Sequence, residues 1–180
     1  VSSNSDVKNY TRDLDLNTAI AGVNYDKGST HYSRENFTSY PDNVIVTHIT
    51  ADGSEKISLD VSVEPDNTSG GASNSIGENG YKRTWNTTVS GGRISVNGQL
   101  TDNQMKFSSQ TQVITDNGGT VTDGDGKVSV SGASEVTIIT SMGTDYKDEY
   151  PSYRTGETAD ELTNRVKWYV DQAKVKTYEE

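Results

Sequence analysis

Residues 56–64 read Lys56-Ile57-Ser58-Leu59-Asp60-Val61-Ser62-Val63-Glu64. Ile57, Leu59, Val61 and Val63 alternate with Ser58, Asp60 and Ser62. Side chains along an extended chain point to opposite faces in turn, so this is an antiparallel strand with one buried face. Upstream, Asn43–Thr50 is a further strand, with Val44, Ile45, Val46 and Ile49 apolar enough for burial on both faces. Ala51-Asp52-Gly53-Ser54 is read as the turn between the two. Further upstream, Val23-Asn24-Tyr25, Asp26-Lys27-Gly28 and Thr30-His31-Tyr32 form a hairpin, Gly28 supplying positive φ at little cost. Asp15-Leu16-Asn17-Thr18-Ala19 bends the chain between two earlier strands, and Val1–Asn9 is a polar lead-in.

Downstream, Pro65–Gly80 is rich in Asn, Ser and Gly without periodicity and reads as a long loop. Short strands follow at Thr84–Val89, Arg93–Gly98 and Met105–Ile114. In the last, Met105, Phe107, Ser109, Thr111 and Val113 share a face. Asp116-Asn117-Gly118-Gly119 reads as a hairpin turn and Asp123-Gly124-Asp125-Gly126 as another, with Lys127–Ser131 and Glu135–Thr140 completing the strands. The period then changes. Between Thr158 and Thr177, Ala159, Leu162, Val166, Tyr169, Val170 and Ala173 recur at threes and fours, an amphipathic helix opened by a capping box at Thr158. The expected fold is mainly β: an antiparallel β-sandwich of the super-sandwich type with one C-terminal α-helix.

The 180 residues carry a net charge of −10 and are 30% hydrophobic, so the core is expected to be thin. The chain has no cysteine, which excludes disulfides and thiolate chemistry. The acidic balance and the lack of a basic stripe argue against nucleic acid as a partner. No apolar run approaches the roughly 18 residues that a membrane-crossing helix needs.

Candidate chemistry is sparse. Asp145, Asp148 and Glu149 lie near Tyr146, Tyr150 and Tyr153, which would suit a sugar site, although a polar loop tethered by aromatics is the preferred reading. Asp123-Gly124-Asp125-Gly126-Lys127 opens like a calcium loop, but Lys127 and Ser134 stand where ligands are needed, so a turn is preferred. His31 and His48 lack metal-site spacing, no Gly-x-Ser-x-Gly elbow or phosphate loop occurs, and no cofactor is expected. Sequons at Asn9, Asn36, Asn67 and Asn86 are what such a composition produces. Adjacent Arg34 and Glu35 must point to opposite faces of their strand. Trp85, near Arg83, is a core anchor in the first instance and a sugar platform in the second.

The block Tyr10-x-Arg12-x-Leu14-Asp15-Leu16-x-x-Ala19, Val23-x-Tyr25, Tyr32-x-Arg34-Glu35-x-Phe37-x-Ser39-x-Pro41-Asp42-x-Val44 resembles the N-terminal domain of glycoside hydrolase family 95, the inverting 1,2-α-L-fucosidases and related α-L-galactosidases. Gly118-Gly119-x-Val121, Val128-x-Val130-x-Gly132-Ala133 and Thr144-Asp145-Tyr146 with Pro151 agree in order, although Ser134 replaces the family's Asp. The Gly-Asn-Gly turn and Asn-Glu pair usual before the first block are missing. The resemblance implies a non-catalytic sandwich over 1–157, lacking its first strands, and a helix over 158–180 leading toward a linker and an (α/α)₆ catalytic barrel. The partner would be the rest of the parent polypeptide, with glycans as a further candidate and self-association through exposed sheet edges. Arg34, Glu35, Trp85, Tyr146, Tyr150 and Tyr153 are the glycan-contact or interface candidates; no residue inherits a catalytic role. The location implied is extracellular or cell-surface, in a bacterium. A free-standing carbohydrate-binding module and an adhesin repeat are the alternatives.

Overall fold

A computed structural model describes residues 6–65, 83–116 and 118–180. The elements are β1 (Val7–Asp15), β2 (Ile20–Lys27), β3 (Thr30–Ser39), β4 (Val44–Asp52), β5 (Ile57–Ser62), β6 (Arg83–Ser90), β7 (Arg93–Leu100), β8 (Lys106–Thr115), β9 (Thr120–Asp123), β10 (Lys127–Ala133), β11 (Glu135–Thr144) and α1 (Ala159–Ala173). An eight-stranded sheet runs in the order β1-β2-β3-β4-β11-β8-β7-β6, and a three-stranded sheet in the order β5-β10-β9. All pairings are antiparallel.

Strand alternation builds two cores on opposite faces of the large sheet. Toward the small sheet it presents Ile49 and Ala51 of β4, Ile94 and Val96 of β7, Val113 of β8 and Val136 of β11; these meet Ile57, Val128, Val130 and Ala133. Toward α1 it presents Val44 and Val46 of β4 and Ile139 of β11, which meet Val170 and Ala173. The layers are therefore small sheet, large sheet, helix. The alternating row of β5 behaves as its period requires: Ile57 is buried and Leu59, Val61 and Val63 pack against the same core.

Several connections carry the chain from one sheet to the other. Beyond Ala133 it passes from β10 to β11 through Ser134 alone, with Gly132 in the left-handed region at φ 73°. The Ser134 amide donates to the Asp116 carboxylate at 3.1 Å, and its carbonyl accepts from Ala51 N–H at 2.8 Å. The segment from Asp116 to Gly119 is not the expected hairpin. Both edges of β8 are already filled, by β7 and β11, so β9 can only pair in the other sheet, with β10. The Asp123–Gly126 turn does join a hairpin, β9 to β10. The Asp123 carboxylate then crosses the layers and accepts from Gly91 N–H at 2.7 Å and Gly92 N–H at 2.8 Å. That use as a staple removes it from any cation loop.

Two boundaries differ from expectation. β1 starts at Val7, inside the segment read as a lead-in, because pairing with β2 (Val7 opposite Lys27) extends past the register shift between Lys8 and Thr11. β4 continues through Asp52, held by His31 across the ladder, so the turn begins only at Gly53. Apart from Pro65, the loop read over Pro65–Gly80 lies outside the described residues, as does the sequon at Asn67.

Gly98 in β7 is fixed by close approach. A Cβ there would stand 2.3 Å from the Thr84 carbonyl, 2.5 Å from Phe107 and 2.9 Å from the Trp85 Cβ. Backbone cannot yield as a side chain can, so Gly98→Ala is expected to cost about 2 kcal/mol, readable as a lower midpoint in denaturant at unchanged slope.

α1 opens as its sequence prescribes. The Thr158 hydroxyl accepts from Glu161 N–H and the Glu161 carboxylate accepts from Thr158 N–H, a complete capping box. Leu162, Val166, Val170 and Ala173 form its buried stripe. Ion pairs fasten its flanks: Arg93 to Asp171 at 2.6 Å, Arg165 to Glu157 at 2.7 Å, and Lys176 to Asp42. The Arg165 hydrogen bond holds the Glu157 carboxyl below its ordinary value, and Lys176 with Ser39 does so for Asp42. Burial raises Asp171, but the bonds from Arg93 and Lys174 outweigh it and leave it lowered. A carboxyl depressed by folding stabilises above its unfolded pKa, and that stability is lost as pH falls through the folded value. The melting temperature is therefore expected to fall below about pH 4, and to fall less in Glu157→Gln, when thermal unfolding is followed from pH 7 to pH 3.

Candidate functional site

The structure separates the six candidate residues into three places. Arg34 and Glu35 on β3 take opposite faces, Arg34 opposite Ile49 and Glu35 opposite His48 on β4. Exposed Arg34 lines a shallow groove with Tyr10, Tyr25, Tyr32, Glu55 and Leu59. Two of these aromatics, Tyr25 and Tyr32, stack with ring centroids 5.1 Å apart.

Glu35 faces the helix side, where the segment following α1 lies on the sheet. Tyr178 places its ring 4.0 Å from that of His48, tilts against Phe37 at 5.9 Å and donates its hydroxyl to the Glu35 carboxylate. Burial first, and the Glu35 bond second, push the Tyr178 hydroxyl well above its ordinary pKa. Glu35 is thus engaged as an acceptor that seats the segment after α1. Sequence reading passed over Tyr178 entirely. The available signal was His48, which stands on the same strand row as Val44 and Val46.

Trp85, on β6, is half-buried and packs against the core between the sheets, opposite Gly98. Its indole therefore contributes to packing in this structure. Tyr146, Tyr150 and Tyr153 do come together, on the connection from β11 to α1. They are 52%, 82% and 42% exposed, and the rings of Tyr150 and Tyr153 meet edge-on at 6.4 Å. The Tyr150–Pro151 peptide is cis. Tyr146 bridges to Arg154, closing this connection on itself.

The carboxyls of the same connection diverge in use. Asp145 is 2% exposed. It accepts from Lys106 N–H at 2.9 Å and from Lys106 Nζ at 3.1 Å, with Arg154 Nε at 3.6 Å. Its own carbonyl accepts from Thr155 N–H at 2.8 Å. The contacts from Lys106 tie the connection to β8, and those from Arg154 and Thr155 close the connection on itself. Asp148 and Glu149 stand in solvent, Glu149 pairing with neighbouring Lys147. The three do not face one another across a cleft, which is the placement that glycoside hydrolysis by two carboxyls requires. Among the described residues no group of three or more His, Asp or Glu is placed to hold a metal ion.

Residues 1–149 match the family model described as glycosyl hydrolase family 65, N-terminal domain. The chain belongs to that family of N-terminal domains. Relatives place it beside fucosidases. "Alpha-L-fucosidase 2" of Arabidopsis thaliana is 30% identical over 167 residues, covering 87% of this chain and 20% of the relative. "Probable alpha-fucosidase A" of Aspergillus niger (strain ATCC MYA-4892 / CBS 513.88 / FGSC A1513) is 42% identical over 50 residues, 28% of this chain and 6% of the relative. This N-terminal domain thus spans about one fifth of the length of the plant relative. Among solved structures, "Putative kojibiose phosphorylase from human microbiome" superposes with a TM-score of 0.53 at 12% identity, covering 94% of this chain and 21% of that one. At that identity the likeness speaks for the fold. The expectation of a glycoside hydrolase N-terminal domain with fucosidase-like relatives is met.

Proposed function

We propose that this domain is the non-catalytic β-sandwich of a glycoside hydrolase resembling the inverting α-L-fucosidases of family 95, which remove terminal α-1,2-linked fucose from glycans. The observation that carries the reading is the 30% identity, sustained along 87% of the chain, to a relative called an alpha-L-fucosidase. The use of Asp145 as a structural acceptor, with Asp148 and Glu149 left in solvent, supports assigning the acid and base to another part of the parent polypeptide. The domain's task is then to brace a following catalytic barrel. Glu35 seats the chain leaving α1, while Arg34 and the cluster of Tyr146, Tyr150 and Tyr153 offer surface to that partner. The parent would act outside the cell or at its surface, in a bacterium.

The test is the complete parent polypeptide on 2′-fucosyllactose, followed by proton NMR within the first turnovers. Release of β-L-fucose as the first-formed anomer is the expected result. Formation of the α-anomer, or no fucose release at all, would contradict the reading. A second reading, a module that binds glycan by itself, draws on the exposure of Tyr150 and its two neighbours. Replacing Tyr150 by Ala separates the two. Weakened sugar binding by the isolated chain favours the module, and loss of activity only in the parent favours bracing.

A further inference from the structure

The helix side of the large sheet changes character across its width. At β4 and β11 it is apolar; α1 lies chiefly over β8 and β11, with a lesser contact to β4. At β6, β7 and β8 the same face carries Thr88, Ser90, Arg93, Ser95, Gln110 and Gln112, which floor a groove of about 620 Å³ beside α1. That volume is far larger than a lone ion and lies within the roughly 300–1,000 Å³ range of small-molecule sites. The helix supplies the other wall through Thr163, Lys167, Asp171 and Lys174.

Three features say what the groove suits. First, its floor is polar and yet buried: Arg93, Gln110 and Gln112 are 8%, 1% and 9% exposed. Second, the floor is not fully satisfied. The Gln110 Oε1 accepts from the Ser95 hydroxyl at 2.8 Å, while its Nε2 has no hydrogen-bond partner. That atom is closed to solvent as the side chain stands; once the amide swings toward the groove, a ligand hydroxyl, which both donates and accepts, pairs with whichever of its two polar atoms is free. Third, the lining holds three cations against one carboxylate in a chain whose net charge is −10. Arg93 spends its Nε on Gln112 at 3.1 Å and one Nη on Asp171 at 2.6 Å, which leaves part of its five-donor fork uncommitted. Lys167 stands exposed at the rim.

We propose that this groove binds an acidic pyranose, with its carboxylate toward Arg93 and Lys167 and its hydroxyls toward the Gln110 amide and the Ser95 hydroxyl. Membership in a glycosyl hydrolase family favours a sugar over another small acid of the same charge. The inference concerns the sandwich itself and does not depend on which bond the parent cleaves.

The test is an NMR titration of the ¹⁵N-labelled chain with methyl β-D-glucopyranosiduronate, methyl β-D-glucopyranoside and sodium acetate in separate arms. The uronide is expected to shift the Ser95, Gln110 and Lys167 signals, the Gln110 side-chain amide among them, and to saturate at millimolar concentration. The neutral glycoside is expected to bind at least about fivefold more weakly, the factor that one unit charge near 4 Å is worth in water. Lys167→Glu changes an exposed residue that the fold does not need. It should weaken the uronide by more than that factor and leave the neutral glycoside unaffected. No shift in these residues, equal binding of the uronide and the neutral glycoside, acetate shifts matching those of the uronide, or an unchanged uronide affinity in Lys167→Glu would each overturn the proposal.

Discussion

Val166→Asp is expected to abolish cooperative folding of the chain. Val166 is 0% exposed and sits midway along the buried stripe of α1, between Leu162 and Val170. Its methyl group lies 3.1 Å from where a Cβ on Gly143 would be, so helix and β11 are in direct contact. A carboxylate placed there loses its water, and the guanidinium of Arg165, which also lies against Gly143, is already committed to Glu157. Burying an unpaired polar or charged group costs several kcal/mol, against a total stability of about 5–15 kcal/mol for a domain. The same Asp at exposed Gln172, on the other side of the helix, should change stability by less than about 0.5 kcal/mol. Circular dichroism melts of both variants decide the matter. Two equally sharp transitions would mean that α1 does not dock through this stripe.

The second large effect is expected at Asp145. Asp145→Ala removes the acceptor from a buried N–H and from the Lys106 ammonium at once. Deleting one partner of a fully buried pair costs about 3–5 kcal/mol. Lys106 is 32% exposed and Arg154 25%, so both recover some hydration. The expected loss is then about 3 kcal/mol. Denaturant unfolding measures it. Because the role is structural, Asp145→Asn should recover part of the loss, since an amide oxygen can still accept from Lys106 N–H. A variant as stable as the parent chain would remove Asp145 from the fold and return it to the list of candidate acids.

The contrast between Asp145 and β5 shows what was legible in the sequence. Alternation at Ile57, Leu59, Val61 and Val63 is a local pattern, and burial follows it directly. The capping box at Thr158 and the turn at Gly28 are local in the same way. Sheet membership is not local. Nothing between Asp116 and Gly119 says that β8 already has two neighbours, so a turn-forming sequence was read as a hairpin when it is a crossing between layers. Side-chain roles that depend on partners far along the chain were equally hidden. Asp145 meets Lys106 across 39 positions, and Glu35 meets Tyr178 across 143. The opposed directions of Arg34 and Glu35 could be foreseen from strand geometry; what each one touches could not. The polar floor at Gln110 and Gln112 was invisible for a further reason. Period-2 reading treats polar positions as solvent-facing, and here that row lies beneath a helix.

The most direct measurement is a fucose-release assay of the isolated 180-residue chain on 2′-fucosyllactose, with the folded state verified in the same sample. A domain that supplies bracing surface and no acid–base pair should release no fucose above the uncatalysed background. Turnover by this chain alone would contradict the account at its centre.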